Sequence, residues 1–537
     1  MHKLRTSSAV LTVIVLLLGI TSCSTSRKAS QSADRAVVVQ SAPAAEQAKQ
    51  SNQDGNFNTE EYGRITENEF HEAVNNPLST FSIDVDTASY SNVRRFINQG
   101  QLPPADAVRI EELINYFKYT YPEPDGDEPF SISAESAACP WEPDHKLVHI
   151  GLQGRRIPLA NAPANNLVFL IDTSGSMDSP DKLPLLKSAF KLLTDQLREQ
   201  DRVAIVVYAG SAGLVLPSTA GRDKKAILSA IDKLEAGGST AGGAGIRLAY
   251  EVAKGSFNPS ANNRVILATD GDFNVGVSSD GDLLRLIETE RRSGVFLTVL
   301  GFGTGNLKDS KMELLADKGN GNYAYVDTIH EARKVFVSEL GGTLNTIAKD
   351  VKVQVEFNPA KVQAYRLIGY ENRLMRAEEF NDDKKDAGEL GAGHSVTALY
   401  EIIPVGVRAD LPAVDPLKYQ SRKVRPEGFK SDELLTVKLR YKAPKGDTSD
   451  LLARSVFDED RDVASASENA RFAASVAEFG MLLRDSKLKG RSSFENCLAL
   501  ARESRGDDPE GYRAEFISLV EKSAELQRNR QQARLER

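Results

Sequence analysis

Cysteine is scarce in this chain, with three in 537 residues at Cys23, Cys139 and Cys497. That is too few for a disulfide scaffold, and no two share the CxxC spacing of a zinc site. Cys497 falls on a helical row with Phe494, Leu498 and Ala501, which reads as a packed core thiol rather than half of a bridge to Cys139. Histidine is also sparse. His2, His71, His145, His149, His330 and His394 form no HExxH pair, and neither GxSxG nor GxxxxGK[ST] occurs, so metallopeptidase, serine-hydrolase and P-loop chemistry have no carrier. Positive charge is in deficit: the formal net charge is −8, which argues against a nucleic-acid partner. Long apolar runs are missing too, the one uninterrupted stretch being 9–20, about a dozen residues where a bilayer span needs roughly 20.

What is present begins at the N-terminus. Lys3 and Arg5 precede that apolar stretch, and Ile20-Thr21-Ser22-Cys23 follows it. This order resembles the signal peptide and lipobox of bacterial lipoproteins, and implies cleavage after residue 22 with lipidation at Cys23. Several acyl chains on one cysteine hold a protein durably to a membrane. The expected location is the bacterial cell envelope, with Ser24 after the lipidated cysteine suiting an outer-membrane anchor facing the periplasm. Loss of Lys3 and Arg5 would take the formal charge from −8 to −10. Residues 23–60 are rich in Ser, Ala and Gln and read as a flexible tether.

The remaining chain, with 41% apolar residues over the whole sequence, can bury several cores. Residues 61–160 form an N-terminal flank: a strand at 81–86, a helix carrying Val93, Phe96 and Ile97, a second helix with Ile110, Leu113 and Ile114, then strands with Val148, Ile150 and Leu152 in one period-2 row. From 161 to 345 strands and helices alternate, with strands expected at 167–171, 203–208, 214–216, 265–268, 295–301 and 323–326. That pattern predicts an α/β fold with a doubly wound, mostly parallel, Rossmann-like sheet. Residues 346–445 alternate as strands, and 446–537 are expected to be helical. Both flanks carry unpaired strands, so a single β-sandwich assembled from the two, with the central domain inserted between them, is the simple solution.

In doubly wound sheets ligands sit at the carboxyl ends of strands. Those ends carry Asp172-Thr173-Ser174-Gly175-Ser176, Thr240 in the loop 237–240, and Thr269-Asp270-Gly271. Two carboxylates and three hydroxyls suit magnesium, which takes oxygen ligands at about 2.1 Å and keeps some waters. Gly175, Gly237, Gly238 and Gly271 are expected to let backbone approach the ion, and Asp172 and Thr240 to lie on an exposed strand-end face.

Asp-x-Ser-x-Ser, a later Thr and a Thr-Asp-Gly resemble the metal-ion-dependent adhesion site of von Willebrand factor A domains. The resemblance implies that Asp172, Ser174, Ser176, Thr240 and Asp270 hold Mg2+ (or Mn2+ or Ca2+), with Ser174 and Ser176 direct ligands and the acids partly acting through water. It also implies an open coordination position for an acidic residue of a partner protein, no catalysis, and movement of the last helix, around 330–340, on binding. The stretches 78–87 and 365–373, with β-type sequence at 395–404, are similar to bacterial A-domain lipoproteins of the YfbK type, which carry flanking domains on both sides. An adaptor for an ATPase-linked complex is the alternative role.

A hydrolase has less support. Asp172-Thr173-Ser174-Gly175 departs from an aspartic-protease loop by a serine and lacks a good second copy. Asp84-x-Asp86 resembles a phosphatase loop but has Ala88 where Thr or Val belongs, and reads better as a strand-end pair capping the next helix.

Overall fold

The computed structural model describes residues 59–536 except 239–241, 272–279, 410, 412–417 and 419–423. Cys23 and Thr240 therefore lie outside the described residues.

The N-terminal flank contributes β1 (His71–Glu72), β2 (Leu78–Ser82), α1 (Ala88–Asn98), α2 (Ile110–Asn115), β3 (Phe130–Cys139) and β4 (Glu142–Gly154). Next come β5 (Asn165–Asp172), α3 (Leu183–Gln196), β6 (Arg202–Tyr208), β7 (Ala212–Ala220), α4 (Lys224–Asp232), α5 (Gly242–Gly255), β8 (Asn262–Thr269), α6 (Asp280–Arg292), β9 (Val295–Phe302), α7 (Asp309–Lys318) and β10 (Tyr323–Val326). These build a six-stranded sheet in the order β10-β9-β8-β5-β6-β7. All of its pairs are parallel except β6 with β7. Apolar side chains on successive residues of β5 serve opposite faces. Leu167, Phe169 and Ile171 pack under α3, while Val168 and Leu170 join the cluster under α5 and α7. A strand buried on both faces is continuously apolar, which is why 167–171 could be read as central.

The expected last helix is broken into α8 (Ile329–Arg333), a π-helical turn at Lys334–Ser338 and α9 (Leu340–Leu344). After it come β11 (Thr346–Phe357), β12 (Val362–Ile368), β13 (Leu374–Met375), β14 (Gly388–Gly391), β15 (Ser395–Pro404), α10 (Pro426–Lys430), β16 (Glu433–Lys442) and β17 (Ser449–Phe457). The chain ends with α11 (Glu468–Arg484), α12 (Phe494–Glu503) and α13 (Tyr512–Leu535).

One antiparallel sheet runs β1-β12-β15-β4-β3 and a second runs β13-β2-β11-β16-β17, so each combines strands from before and after the central domain. Their inner faces share a core that includes Val148, Ile150 and Leu152, the period-2 row, against Val353, Val355 and Val437. Outward-facing Leu147 and Leu399 of the first sheet meet a helical layer in which α1 and α2 pack with α11, α12 and α13 around Tyr116, Phe117, Phe472 and Phe516. The flanks are thus one body interrupted by the A-type sheet. The segment expected to be helical from 446 begins instead with β17, an edge strand with exposed Leu451 and Phe457. This strand pairs only with β16 and buries only Val456, so it lacks the apolar alternation that would have marked it. Cys139 and Cys497 are both free and buried, and the Cys497 thiol donates to the Ser475 carbonyl at 3.2 Å.

Candidate metal centre

At the carboxyl end of β5 the chain turns sharply at Ser174 into a 3-10 turn over Gly175–Asp178. The Ser174 amide donates to Asp172 Oδ1 at 2.9 Å, which fixes the turn, and the Ser174 and Ser176 hydroxyls lie 3.0 Å apart. Asp172 Oδ2 accepts from the Tyr208 hydroxyl at the end of β6 (3.1 Å) and from the Thr269 hydroxyl at the end of β8 (3.3 Å). Three neighbouring strand ends therefore converge on one carboxylate. Burial raises the pKa of Asp172, opposed by the hydrogen bonds from Ser174.

Asp270, the next residue after β8, faces this cluster and hydrogen-bonds the Ser176 hydroxyl. Its Oδ2 also accepts from Lys182 Nζ at 2.9 Å, and Lys182 Nζ reaches Asn306 Oδ1 at 3.3 Å. Burial pushes the Asp270 carboxyl up, but hydrogen bonds from Asn306 and Lys182 together with the lysine charge outweigh it, and its pKa is lowered. Asp172, Ser174 and Asp270 are buried, and the cluster opens to solvent at the exposed Gly175 and Ser176. The Gly237 amide donates to the Thr173 carbonyl and the Gly175 amide to the Gly238 carbonyl, at 2.8 and 3.1 Å, so Gly237 and Gly238 are laid against the Asp-x-Ser-x-Ser turn.

The structure thus brings together Asp172, Ser174, Ser176 and Asp270, four of the five expected ligands. Two expectations need correction. Asp172 is not on an exposed face: it holds two strand-end hydroxyls and a backbone amide, so removing it would orphan them. Gly271 serves close packing of chain rather than approach to an ion. Its φ is +107°, and a Cβ there would lie 2.7 Å from the Asn306 carbonyl and the Lys308 amide.

Lys182, Tyr208 and Asn306 join the site without having been expected there, and Thr269, expected only as part of the Thr-Asp-Gly motif, hydrogen-bonds Asp172. Tyr208 and Thr269 carry a legible signal, since each ends a buried strand next to a candidate ligand. Lys182 and Asn306 carry none, because a lysine ahead of a helix and an asparagine in a glycine-rich loop read as solvated.

Asp84 and Asp86 do not cap α1, whose N-cap is Thr87 and has no side-chain cap bond. Asp84 accepts from Arg373 Nε at 2.9 Å and Asp86 Oδ1 from the Tyr323 amide at 2.8 Å, within a buried charge network described below.

A doubly wound sheet bearing this turn, with Asp270 opposite it, defines a von Willebrand factor A-type protein. The family model described as von Willebrand factor type A domain matches residues 166–337, and the one described as von Willebrand factor matches 56–149. A third, "Uncharacterized protein YfbK, C-terminal", matches 342–526. The chain belongs to the YfbK family: it is 45% identical over 473 residues to "Uncharacterized protein YfbK" of Escherichia coli (strain K12), across 87% of this chain and 81% of that one. It is also 34% identical over 185 residues to "Uncharacterized protein sll0103" of Synechocystis, covering 41% of that protein. Among solved structures it is similar to "von Willebrand factor type A from Catenulispora acidiphila", at 18% identity over 70% of this chain and 87% of the other, with a TM-score of 0.39. An A domain of this type points to a protein-interaction or scaffold role.

Proposed function

We propose that this chain is a metal-dependent protein-binding scaffold that grips an acidic residue of a partner through a divalent cation, Mg2+ or alternatively Mn2+ or Ca2+, at Asp172, Ser174, Ser176, Thr240 and Asp270. The observation that carries the reading is the convergence of hydroxyl and carboxylate oxygens from separate strand ends, beside an opening at Gly175 and Ser176. The donor set is all oxygen, as a hard cation requires. Both Asp172 oxygens are already engaged, which suits a role through water, whereas the Ser174 and Ser176 hydroxyls can rotate towards an ion. Lys182 neutralises one of the two carboxylates. With a divalent ion added, the formal charge of the site becomes positive, and that favours an incoming carboxylate over a second cation. The bound ion supplies a point of charge; the chain supplies its orientation and the exclusion of water at the strand ends. Lipidation at Cys23 would hold this face at the envelope membrane.

Ser174→Ala and Ser176→Ala test the reading better than removal of Asp172, because each takes away a single hydroxyl and leaves both carboxylates, and the Tyr208 and Thr269 hydroxyls on Asp172, in place. An ion whose Kd is near its ambient concentration stabilises the fold by only RT ln 2, about 0.4 kcal/mol. Both variants, and the wild type in EDTA, should therefore keep the wild-type Tm while losing partner capture in a pull-down from envelope extract. Capture by Ser174→Ala in EDTA equal to that of wild type in Mg2+ would remove the adhesion-site mechanism. In the same cells, a Cys23→Ala protein that stays in the membrane fraction at mature size would remove the anchor.

A further inference from the structure

Away from the metal centre, the seam between the A-type domain and the flanking body is crowded with buried acids. Helix α7 presents Asp309, Glu313 and Asp317 one turn apart on a single stripe, the spacing that stacks side chains on one helix face. Facing them are Asp84 and Asp86 between β2 and α1, Glu112 on α2, Arg109 just before α2, and Asn372 and Arg373 before β13. Arg109 pairs with Glu112, Asp309 and Glu313 at 3.0, 2.8 and 2.7 Å. Arg373 pairs with Asp84, Asp86, Glu313 and Asp317 at 2.9, 3.5, 3.4 and 2.7 Å. Two guanidiniums therefore serve six carboxyls, of which Asp84, Asp86, Glu112, Asp309 and Glu313 are buried.

The crowding is closest at Asp84, Glu112 and Glu313, whose carboxylate oxygens come within 4.8 Å of one another. Like charges at that separation away from water cannot all remain ionised, and sharing protons is the ordinary resolution. We propose that this seam is a proton-dependent latch: with protons shared among its carboxyls, α7 is clamped to the flanking body, and losing those protons loosens the clamp.

Burial is the largest influence on Glu313 and raises its pKa to about 8 against the pull of Arg109 and Arg373. Glu112 and Asp86 are raised as well, burial again leading. A carboxyl that holds its proton more tightly folded than unfolded stabilises the fold fully below its unfolded value of 4.5. That contribution disappears as the pH climbs to about 8. The latch is thus closed at mildly acidic pH and weakens on the alkaline side.

Its position gives it reach. The loop Asn306–Lys308 leads straight into α7 and lies against Gly271, next to Asp270. Slackening of the first turn of α7 would be felt at the loop that positions Asn306 on Lys182.

The test is amide hydrogen exchange of the full chain in EDTA at pH 6.5 and pH 9, corrected for the intrinsic rate at each pH. Wild-type protection of Asp309–Lys318 should fall by about tenfold or more between the two, while the strands β5 and β8 hold theirs. Glu313→Gln mimics the protonated acid, so it should match wild type at pH 6.5 and keep most of its protection at pH 9. Glu112→Gln supplies the same comparison should the first variant fold poorly. Protection of α7 in wild type that does not change with pH, or a Gln variant that loses it in parallel with wild type, would overturn the latch. So would loss of α7 protection on adding EDTA at pH 6.5, because the seam would then be held by a cation instead of protons.

Discussion

At the residue scale, one unforeseen member of the candidate metal centre is Lys182. Its stem runs past Gly303, where any Cβ would overlap it, and its ammonium group ends on Asp270. This lysine is the cation that keeps the buried Asp270 carboxylate satisfied, and with the proposed divalent ion bound beside it the two positive charges would repel. Lys182→Met, which preserves the stem, should therefore act in opposite directions on the two states. Leaving a buried carboxylate without its partner costs on the order of 3 kcal/mol, so the Tm in EDTA falls. Removal of the repulsion, about 1.4 kcal/mol or more at an effective dielectric near 20, tightens Mg2+ binding about tenfold. Calorimetric titration with Mg2+ and thermal unfolding in EDTA check both. Weaker Mg2+ binding by the variant would show that Lys182 supports the metal site instead of competing with it.

Among the elements, the last helix of the A domain departs from its sequence pattern in form rather than in type. The row 330–340 is continuous in the sequence, yet the structure divides it at Lys334–Ser338 into a π-helical turn. Arg94 of α1 reaches into α8 and its entrance, binding Asp327 through Nε at 2.9 Å and Glu331 through Nη2 at 2.8 Å, and it also meets Glu515 of α13 at 3.1 Å. The Tyr116 hydroxyl donates to the same Glu331 oxygen at 2.8 Å, and the Lys334 ammonium sits 4.3 Å from the centre of the Tyr116 ring. Helix α8 is therefore held by side chains of the N-terminal flank, and through Arg94 it is linked to α13. Arg94→Met would strand two buried carboxylates, with a loss of about 3–5 kcal/mol. Equilibrium urea unfolding should show that drop; a loss under about 1 kcal/mol would mean that α8 is held by its apolar face alone.

For the whole molecule, the decisive feature is that the A-type domain interrupts the flanking sandwich. The two cut ends meet, since a Cβ on Gly154 at the end of β4 would lie 3.0 Å from the Ile347 side chain near the start of β11. Replacing residues 158–344 by a short Gly-Ser linker should leave a folded body with the sandwich core and helical layer intact. The excised domain, with a packed cluster on each face of its sheet, should fold separately. Circular dichroism and a cooperative melt of each piece check this. A sandwich piece without a cooperative transition would show that its sheets depend on the inserted domain. The latch and the Arg94 contacts lie on the surfaces such a cut would expose, so both pieces should melt below the intact chain.

The sequence alone determined what is periodic or local. Continuous apolar strands gave the buried parallel sheet, the period-2 row at 148–152 gave the inner face of the sandwich, and the Asp-x-Ser-x-Ser turn with Thr269-Asp270-Gly271 gave the candidate site at the strand ends, because each signal lies within a few residues. The pairing of β2 with β11 and of β4 with β15, the placement of Lys182 on Asp270, and the gathering of six carboxyls around Arg109 and Arg373 were decided only by tertiary structure. Asp84 and Glu313 are 229 positions apart in the sequence, yet their carboxylates come within 4.8 Å. No local pattern records such a meeting, because an acid that will be buried against a distant arginine looks in sequence like any solvated acid until the fold removes its water.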